Sequence, residues 1–570
     1  MMIPGKAITA GLPNAPALRG ETGHGVCGVV KSMSLLTTWL ALFVATLVWP
    51  SANPAAAGTD VERIMQASCS GCHSAEGTGL SRVSEQRKTP EGWQMTLTRM
   101  QLVHKARIFD PAAEGEDENT ATRKLVKYLA DTQGLAPSES QPFRYILEQE
   151  LNTIEQHATA QFGEMCARCH SGARVRLQRR SEVEWRHLVH FHLGQFPTTE
   201  YSLMGRDRNW LDQALDQMVP VLSAEYPLHT AQWRQWQEAG RPGFRGRWHL
   251  LGSMPGKGSF HGTMEATGGD GDQYALTFSG SFEDGEQLSG SGRAVVYTGY
   301  EWRATLKLGA TGYRQVLAAS EDGGGMQGRM FQTDHSERGM RVRAVRDTGE
   351  AILLAAYPAY LRAGEEAVLE LAGAHLAGDP RLGEGIEVLE VLQRDDHLYR
   401  LRVAIAAGAR TGSRTVKIGD SALDNGFTVF RRIDRVEVEP GFAVARVGGG
   451  GGSQPVVEAL FDAVAWSDGV DGKPDTDDDF RIGRVDANWS VAPFDAIAAR
   501  DGDQRFAGLM DKDSGIFTPA RAGPNPQRKY QTNNVGNLKV SASLKQDGKP
   551  LTGEAQLMVT VQRWNNPPIR

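Results

Sequence analysis

Cysteine is scarce in this chain: five residues among 570. A basic excess is missing too. The formal charge is −6, with 62 Lys and Arg against 68 Asp and Glu, so the chain carries no footprint for displacing counterions from nucleic acid. No nucleophile elbow, phosphate loop or dinucleotide fingerprint occurs anywhere, which leaves no evident substrate-converting site on this chain. What is present, 40% hydrophobic and 23% charged residues, describes a globular protein and excludes a disordered, collagenous or multi-span one. At roughly 150 residues per domain the length suggests about four domains.

Residues 1–57 read as an export leader. Lys31 precedes an uncharged stretch over 32–57, with an apolar core at 35–49 followed by Pro50, Pro54 and the small Ala55, Ala56 and Ala57. That is a positive segment, an apolar segment and a small-residue cleavage site. The apolar run over 33–49 is short of the ~20 residues a span needs. The expectation is a periplasmic mature chain without a membrane span.

Cleavage removes Cys27 and leaves Cys69, Cys72, Cys166 and Cys169. Four cysteines in an exported chain ordinarily mean disulfides, but their neighbours overrule that reading. Cys69-Ser70-Gly71-Cys72-His73 and Cys166-Ala167-Arg168-Cys169-His170 are both C-x-x-C-H, the attachment pattern for haem c. Two thiols one helical turn apart form thioethers to the porphyrin vinyls, and the adjacent imidazole reaches the iron. Chance places on the order of 0.001 copies of this pattern in such a chain. A redox disulfide pair or half of a zinc site would need that coincidence twice. Two covalently bound haems are expected, with His73 and His170 on their irons and no disulfide.

Each iron needs a second ligand. Aligning Trp93 with Trp185 places Met100 opposite His192, each seven residues past its tryptophan and so on the same helix face. This reads as an internal duplication, with Trp93 and Trp185 packing at the haem edges and Met100 and His192 facing the irons. The Met100 segment resembles the W-x6-M helix of many bacterial c-type cytochromes. Met95 and His187, also equivalent in this alignment, remain alternatives, as do His104, His190, Met204 and Met218. His187, His190 and His192 together suggest zinc only weakly, because no carboxylates or thiols accompany them.

Periodicity then divides the chain. Thr122, Leu125, Val126 and Leu129 follow a helical stripe, stopped by Gly134 and Pro137; Phe143, Ile146, Leu147, Glu150, Leu151 and Ile154 predict a second helix leading towards Cys166. Beyond about residue 239 the glycine density more than doubles and alternation takes over: Tyr274, Leu276, Phe278; Tyr399, Leu401, Val403, Ile405; Leu538, Val540, Ala542, Leu544; Leu557, Val559, Val561. The expected organisation is multidomain α plus β. An α-helical dihaem cytochrome c domain occupies 58–239, in units 58–140 and 141–239. Three antiparallel all-β domains follow: a barrel or sandwich at 240–347, an immunoglobulin-like domain at 348–432 and a C-terminal sandwich at 433–570. The glycines at 448–452 read as a linker or hairpin tip. Asp468, Asp471, Asp475, Asp477, Asp478 and Asp479 crowd one loop that does not fit an EF-hand, and a solvated turn is the simpler reading.

Two C-x-x-C-H units with tryptophan helices, three β domains behind them, and the segment His190-Phe191-His192-Leu193-Gly194-Gln195-Phe196-Pro197 resemble the α subunit of quinohemoprotein amine dehydrogenase. That resemblance implies primary-amine oxidation on a small partner subunit carrying cysteine tryptophylquinone, and a β-propeller subunit beside it. This chain would take the electrons and pass them to a soluble blue copper protein or cytochrome c. Methionine ligation raises a haem potential relative to two nitrogen ligands, so electrons are expected to enter at the Cys166/Cys169 haem and leave at the Cys69/Cys72 haem. Rival classes are a dihaem peroxidase and a haem-bearing periplasmic binding protein.

Overall fold

In the computed structural model, residues 54–561 are described, apart from 78, 151, 196–207 and 450–453. Of the expected leader, 1–53 lies outside the described residues and 54–57 opens the first helix, α1 (Pro54–Cys69). Helix α2 (Pro90–His104) starts where Thr89 accepts the Gly92 N–H, with Pro90 at its first position and Glu91 in its first turn. It stops at Lys105, whose φ of 58° turns its N–H back onto the Met100 carbonyl. Helix α3 (Glu118–Thr132), capped by Asp117, buries the predicted stripe Thr122, Leu125, Val126 and Leu129. Its apolar members pack with Val61 and Ile64 of α1 and Trp93 and Leu97 of α2, each contributing ~1.5–3 kcal/mol.

The second predicted helix does not form as one element. After α4 (Pro137–Ser140) comes a 3₁₀ turn, Gln141–Ile146, and the next helix, α5 (Ala160–Cys166), starts well downstream. Pro142 supplies no N–H, Gln149 takes a left-handed φ of 56°, and buried Arg144 turns to Glu301 at 2.7 Å. Leu147, with Phe143 and Ile146 beside it, packs on Val316 and Phe331 of the next domain instead of along a helix. Helices α6 (Ala173–Arg176) and α7 (Glu182–Gln195) follow, then shorter helical turns up to Glu238.

Two short antiparallel pairs belong to this helical domain: β1 (Ala75–Glu76) with β2 (Gly79–Leu80), and β3 (Gln86–Lys88) with β4 (Gln178–Arg180). The second pair joins the two halves. Its strands are equivalent in the duplication and run antiparallel, with Arg87 opposite Arg179, so a local two-fold axis passes between those arginines.

Beyond it, β5 (Gly246–Met254), β6 (Gly258–Gly268), β7 (Gln273–Phe282), β8 (Gln287–Tyr297), β9 (Glu301–Leu308), β10 (Thr311–Ala319), β11 (Gly325–Gln332) and β12 (Gly339–Arg346) close into an antiparallel barrel. Trp248, Trp302, Phe260 and Met264 are buried in its core. The next domain is a sandwich of two four-stranded sheets with Leu369, Leu401, Val403 and Val429 between them. The last is built on a long hairpin, Gly536–Gln546 with Lys549–Thr560, whose inner residues Leu538, Val540, Ala542, Leu557 and Val559 are buried. Val561 lies past the strand end and is exposed. In the aspartate-rich loop, Asp478 accepts the Val470 and Asp471 N–H groups, and Asp479 takes Arg435 and the Asp475 N–H. These carboxylates are turned onto their own loop, the arrangement of a self-satisfied turn. Of the glycine run, 450–452 lie outside the described residues.

Candidate functional site

Each C-x-x-C-H segment begins where a helix ends. After α1 the N–H groups of Cys72 and His73 both donate to the Cys69 carbonyl, at 3.1 and 3.0 Å, so the two thiols are separated by one closed turn. Cys166 is likewise the last residue of α5. All four cysteines are free thiols. Burial, helped by the Cys72 charge, pushes the Cys69 thiol up to about 11, and burial pushes Cys166 up to about 12. A redox C-x-x-C works through a thiol shifted the other way. Cys72 and Cys169, the second thiol of each pair, are exposed.

The imidazoles show a common device. His73 Nδ1 lies 2.9 Å from the Ser81 carbonyl, His170 Nδ1 lies 2.9 Å from the Ser171 carbonyl, and His192 Nδ1 lies 2.7 Å from the Leu188 carbonyl. A carbonyl oxygen only accepts, so Nδ1 carries the proton and the lone pair is left on Nε2. That is the tautomer and the anchoring an axial ligand requires. The Ser171 segment is itself fixed by Glu155, which accepts the Ser171 hydroxyl and the Gly172 N–H.

Burial sorts the distal candidates. In α2, Met100 is half-buried on the face that carries Trp93 and Leu97, whereas Met95 is 41% exposed and His104 is exposed. In α7, exposed His187 is committed to the buried Glu184 at 2.8 Å and His190 is exposed. His192 is half-buried against Trp210, ring centroids 5.6 Å apart. Its imidazolium form is disfavoured first by burial and then by the charges of His170, Arg180 and Arg99. Met218 is a core residue packed with Phe162, Trp185 and Val189; Met204 lies outside the described residues. Among the described residues, no group of three or more His, Cys, Asp or Glu side chains converges as a metal site.

Trp93 and Trp185 occupy equivalent, fully buried places, their indole N–H groups donating to the carbonyls of Gln133 and Tyr226. The equivalence extends further than the tryptophans. Gln86-Arg87-Lys88-Thr89 matches Gln178-Arg179-Arg180-Ser181, with Thr89 and Ser181 both capping by their hydroxyls. Lys88 lies 4.9 Å from the Trp93 ring centroid and Arg180 lies 5.7 Å from that of Trp185. Arg99 stacks 4.5 Å over Phe191, so the residue before Met100 meets the residue before His192. At the axis, Glu139 binds Arg87 through both oxygens, at 2.9 and 3.0 Å, and Arg179 at 3.1 Å. Sequence reasoning missed this repeated tetrapeptide, although the signal stood directly ahead of the aligned tryptophans.

The barrel holds the helical domain by a polar chain. Glu91, in the first turn of α2, pairs with Arg303 at 2.6 Å; Arg303 pairs with Glu301 at 2.8 Å; Glu301 pairs with Arg144 at 2.7 Å. Tyr300 reaches Ser140 and the Leu135 carbonyl. The helix carrying Met100 is thereby tied at its N-terminus to a rigid strand.

This is the donor set haem c requires: paired thiols on one turn, a lone-pair nitrogen on each adjacent imidazole, and a thioether or imidazole on an equivalent helix of each unit. No curated protein sequence matches the chain. Solved structures with some likeness include a redesigned β-barrel, mFAP1, bound to DFHBI (16% identity over 18% of this chain and 94% of that one, TM-score 0.16). Others are the Bacteroides ovatus mixed-linkage glucan protein SGBP-B (12%, 55% and 60%, 0.17) and Drosophila N-cadherin EC1-3 (9%, 43% and 85%, 0.19). Likeness at this level says nothing of activity. Four family models match in series: the quinohemoprotein amine dehydrogenase α-subunit haem-binding domain at 59–233, domain II at 243–347, domain III at 350–431 and domain IV at 436–569. The chain belongs to the quinohemoprotein amine dehydrogenase α-subunit family.

Proposed function

We propose that this chain is the electron-transfer subunit of a periplasmic amine dehydrogenase. It holds two haems covalently, takes electrons from a cysteine tryptophylquinone on a small partner subunit during primary-amine oxidation, and hands them to a soluble blue copper protein or cytochrome c. The observation that carries this reading is the duplicated site, in which His73 and His170 each present an Nε2 lone pair at a C-x-x-C turn and His192 presents one on the helix equivalent to that of Met100. When bound, the haems supply one-electron carriers.

The chain's own residues do the rest. Cys69, Cys72, Cys166 and Cys169 would hold the haems covalently, Trp93 and Trp185 would pack against them, and Met100 and His192 would supply the further iron ligands. A thioether at Met100 against an imidazole at His192 makes the first unit the higher in potential, hence the exit. No helix among the described residues is long and apolar enough to cross a membrane.

Isolation of the native complex tests the reading. Two haems per chain and haem reduction on adding a primary amine to the complex are expected. A chain isolated alone, whose haems stay oxidised when amine and the other subunits are supplied, would overturn it. For the ligands, His192→Met should raise the lower midpoint and leave the higher one in place; two unmoved midpoints would remove His192 from the iron.

A further inference from the structure

The contact between the two units holds more positive charge than it can balance. Lys88 is 4% exposed, donates to Thr96 Oγ1 at 2.7 Å, and among the described residues has no carboxylate within ion-pair distance. Arg180, also 4% exposed, reaches Glu184 at 3.2 Å. Arg99 lies over Phe191 with its Nε buried and without a hydrogen-bond partner. Among the described residues the one carboxylate within bonding reach of this group, Glu184, is already shared with Arg82, Gln86 and His187. Burial, then the charges of Arg180 and Arg99, drive the Lys88 ammonium well below its usual range. Buried cations in this surplus are unstable unless anions enter among them.

Position says which anions. Lys88 and Arg180 lie over the two tryptophans, and Arg99 and Phe191 immediately precede Met100 and His192. An anion seated here comes from a group held between tryptophan and distal ligand. Haem c carries two propionate carboxylates on the ring edge away from its thioethers, and no other negative side groups. We infer that Lys88, Arg99 and Arg180 form a carboxylate seat between the two units, filled by haem propionates. Its occupant rests on the dihaem reading above. A positive charge kept beside an iron favours its reduced state, so the seat also raises the potentials of the haems it touches.

The test uses the holoprotein with Lys88→Met, and Lys88→Arg as the conservative control. In K88M both midpoint potentials fall and the propionate-bending band in resonance Raman spectra shifts, while K88R restores both. Unchanged midpoints and band at full haem content overturn the seat. So do wild-type midpoints that move with chloride or phosphate at constant ionic strength, because an exchangeable anion then fills it. Should K88M fail to mature, Arg99→Gln, at a half-buried position, is read by the same criteria. Haem content by pyridine haemochrome keeps the readings apart: fewer than two haems in the wild-type chain refutes the dihaem proposal, whereas two haems with unmoved potentials refute only the seat.

Discussion

Replacing Glu139 by alanine removes the one carboxylate on the axis that relates the haem units. Arg87 and Arg179, 4% and 5% exposed, face each other across the β3–β4 pair and both bind that side chain. Losing one partner of a buried pair costs ~3–5 kcal/mol, because the other charge stays buried. Two charges are stranded here, but each keeps acceptors: Arg87 has the Leu228 and Gly134 carbonyls, and Arg179 has those of Arg176 and Gln178. Each also lies over a ring, Trp233 or Tyr226. The expected loss therefore stays at ~3–5 kcal/mol. For a domain of this size, at ~2–4 °C per kcal/mol, the melting temperature falls by about 6–20 °C. The assay is thermal melting of the holoprotein followed in the haem bands, with Glu139→Gln as a milder comparison. Burial raises the Glu139 carboxyl, but Arg87 and Arg179 overcome it and hold it below the usual carboxylate range. Its contribution is thus present above about pH 4 and lost as pH falls through the lowered value, so wild type and E139A converge in acid. An E139A melt within about 2 °C of wild type at pH 7 would refute the reasoning.

Other expectations can be checked alongside. Arg303→Met breaks the Glu91 link and strands buried Glu301 with Arg144 alone, for a loss of ~2–4 kcal/mol by denaturant melting; C-x-x-C-H attachment, measured by haem content, stays intact. His249 pairs with Asp347 at 3.2 Å, yet burial holds its pKa below the usual histidine value. Stability at the junction of barrel and sandwich should thus decline as pH drops below about 6.5, and His249→Gln should flatten that decline in melts between pH 7 and 5. Asp347, held down to about 2, loses its own contribution only between about pH 4 and 2. Leu401→Ala, at a fully buried sandwich position, costs ~2–5 kcal/mol and leaves both haem midpoints unmoved in a redox titration.

Much of this was legible because the relevant patterns are local. C-x-x-C-H is a one-turn motif, and the Thr122–Leu129 stripe and the Leu401 and Val540 alternations carry their burial in their spacing. The stripe at 143–154 misled because Phe143, Ile146 and Leu147 face a barrel rather than line a helix and Ile154 is exposed, and periodicity alone does not tell these apart; Leu151 lies outside the described residues. Among the histidines of α7, spacing from Trp185 pointed to 192, but it takes burial and the hydrogen bonds to distinguish exposed His187, committed to Glu184, from half-buried His192, committed to a carbonyl. The buried cations were least visible. A run such as Gln86-Arg87-Lys88 ordinarily marks a solvated face, and its partner Glu139 lies far along the chain, where no spacing rule connects them.

The antiparallel pairing of equivalent strands bears on how the two units can differ. A contact in which position Arg87 meets its own counterpart, Arg179, is isologous, the kind that joins two identical subunits about a dyad. Two separate copies of one such unit could make the same contact. Within one chain the copies need not be identical: methionine stands at position 100 and histidine at the equivalent position 192, a difference that a homodimer, bound to change both subunits at once, cannot carry.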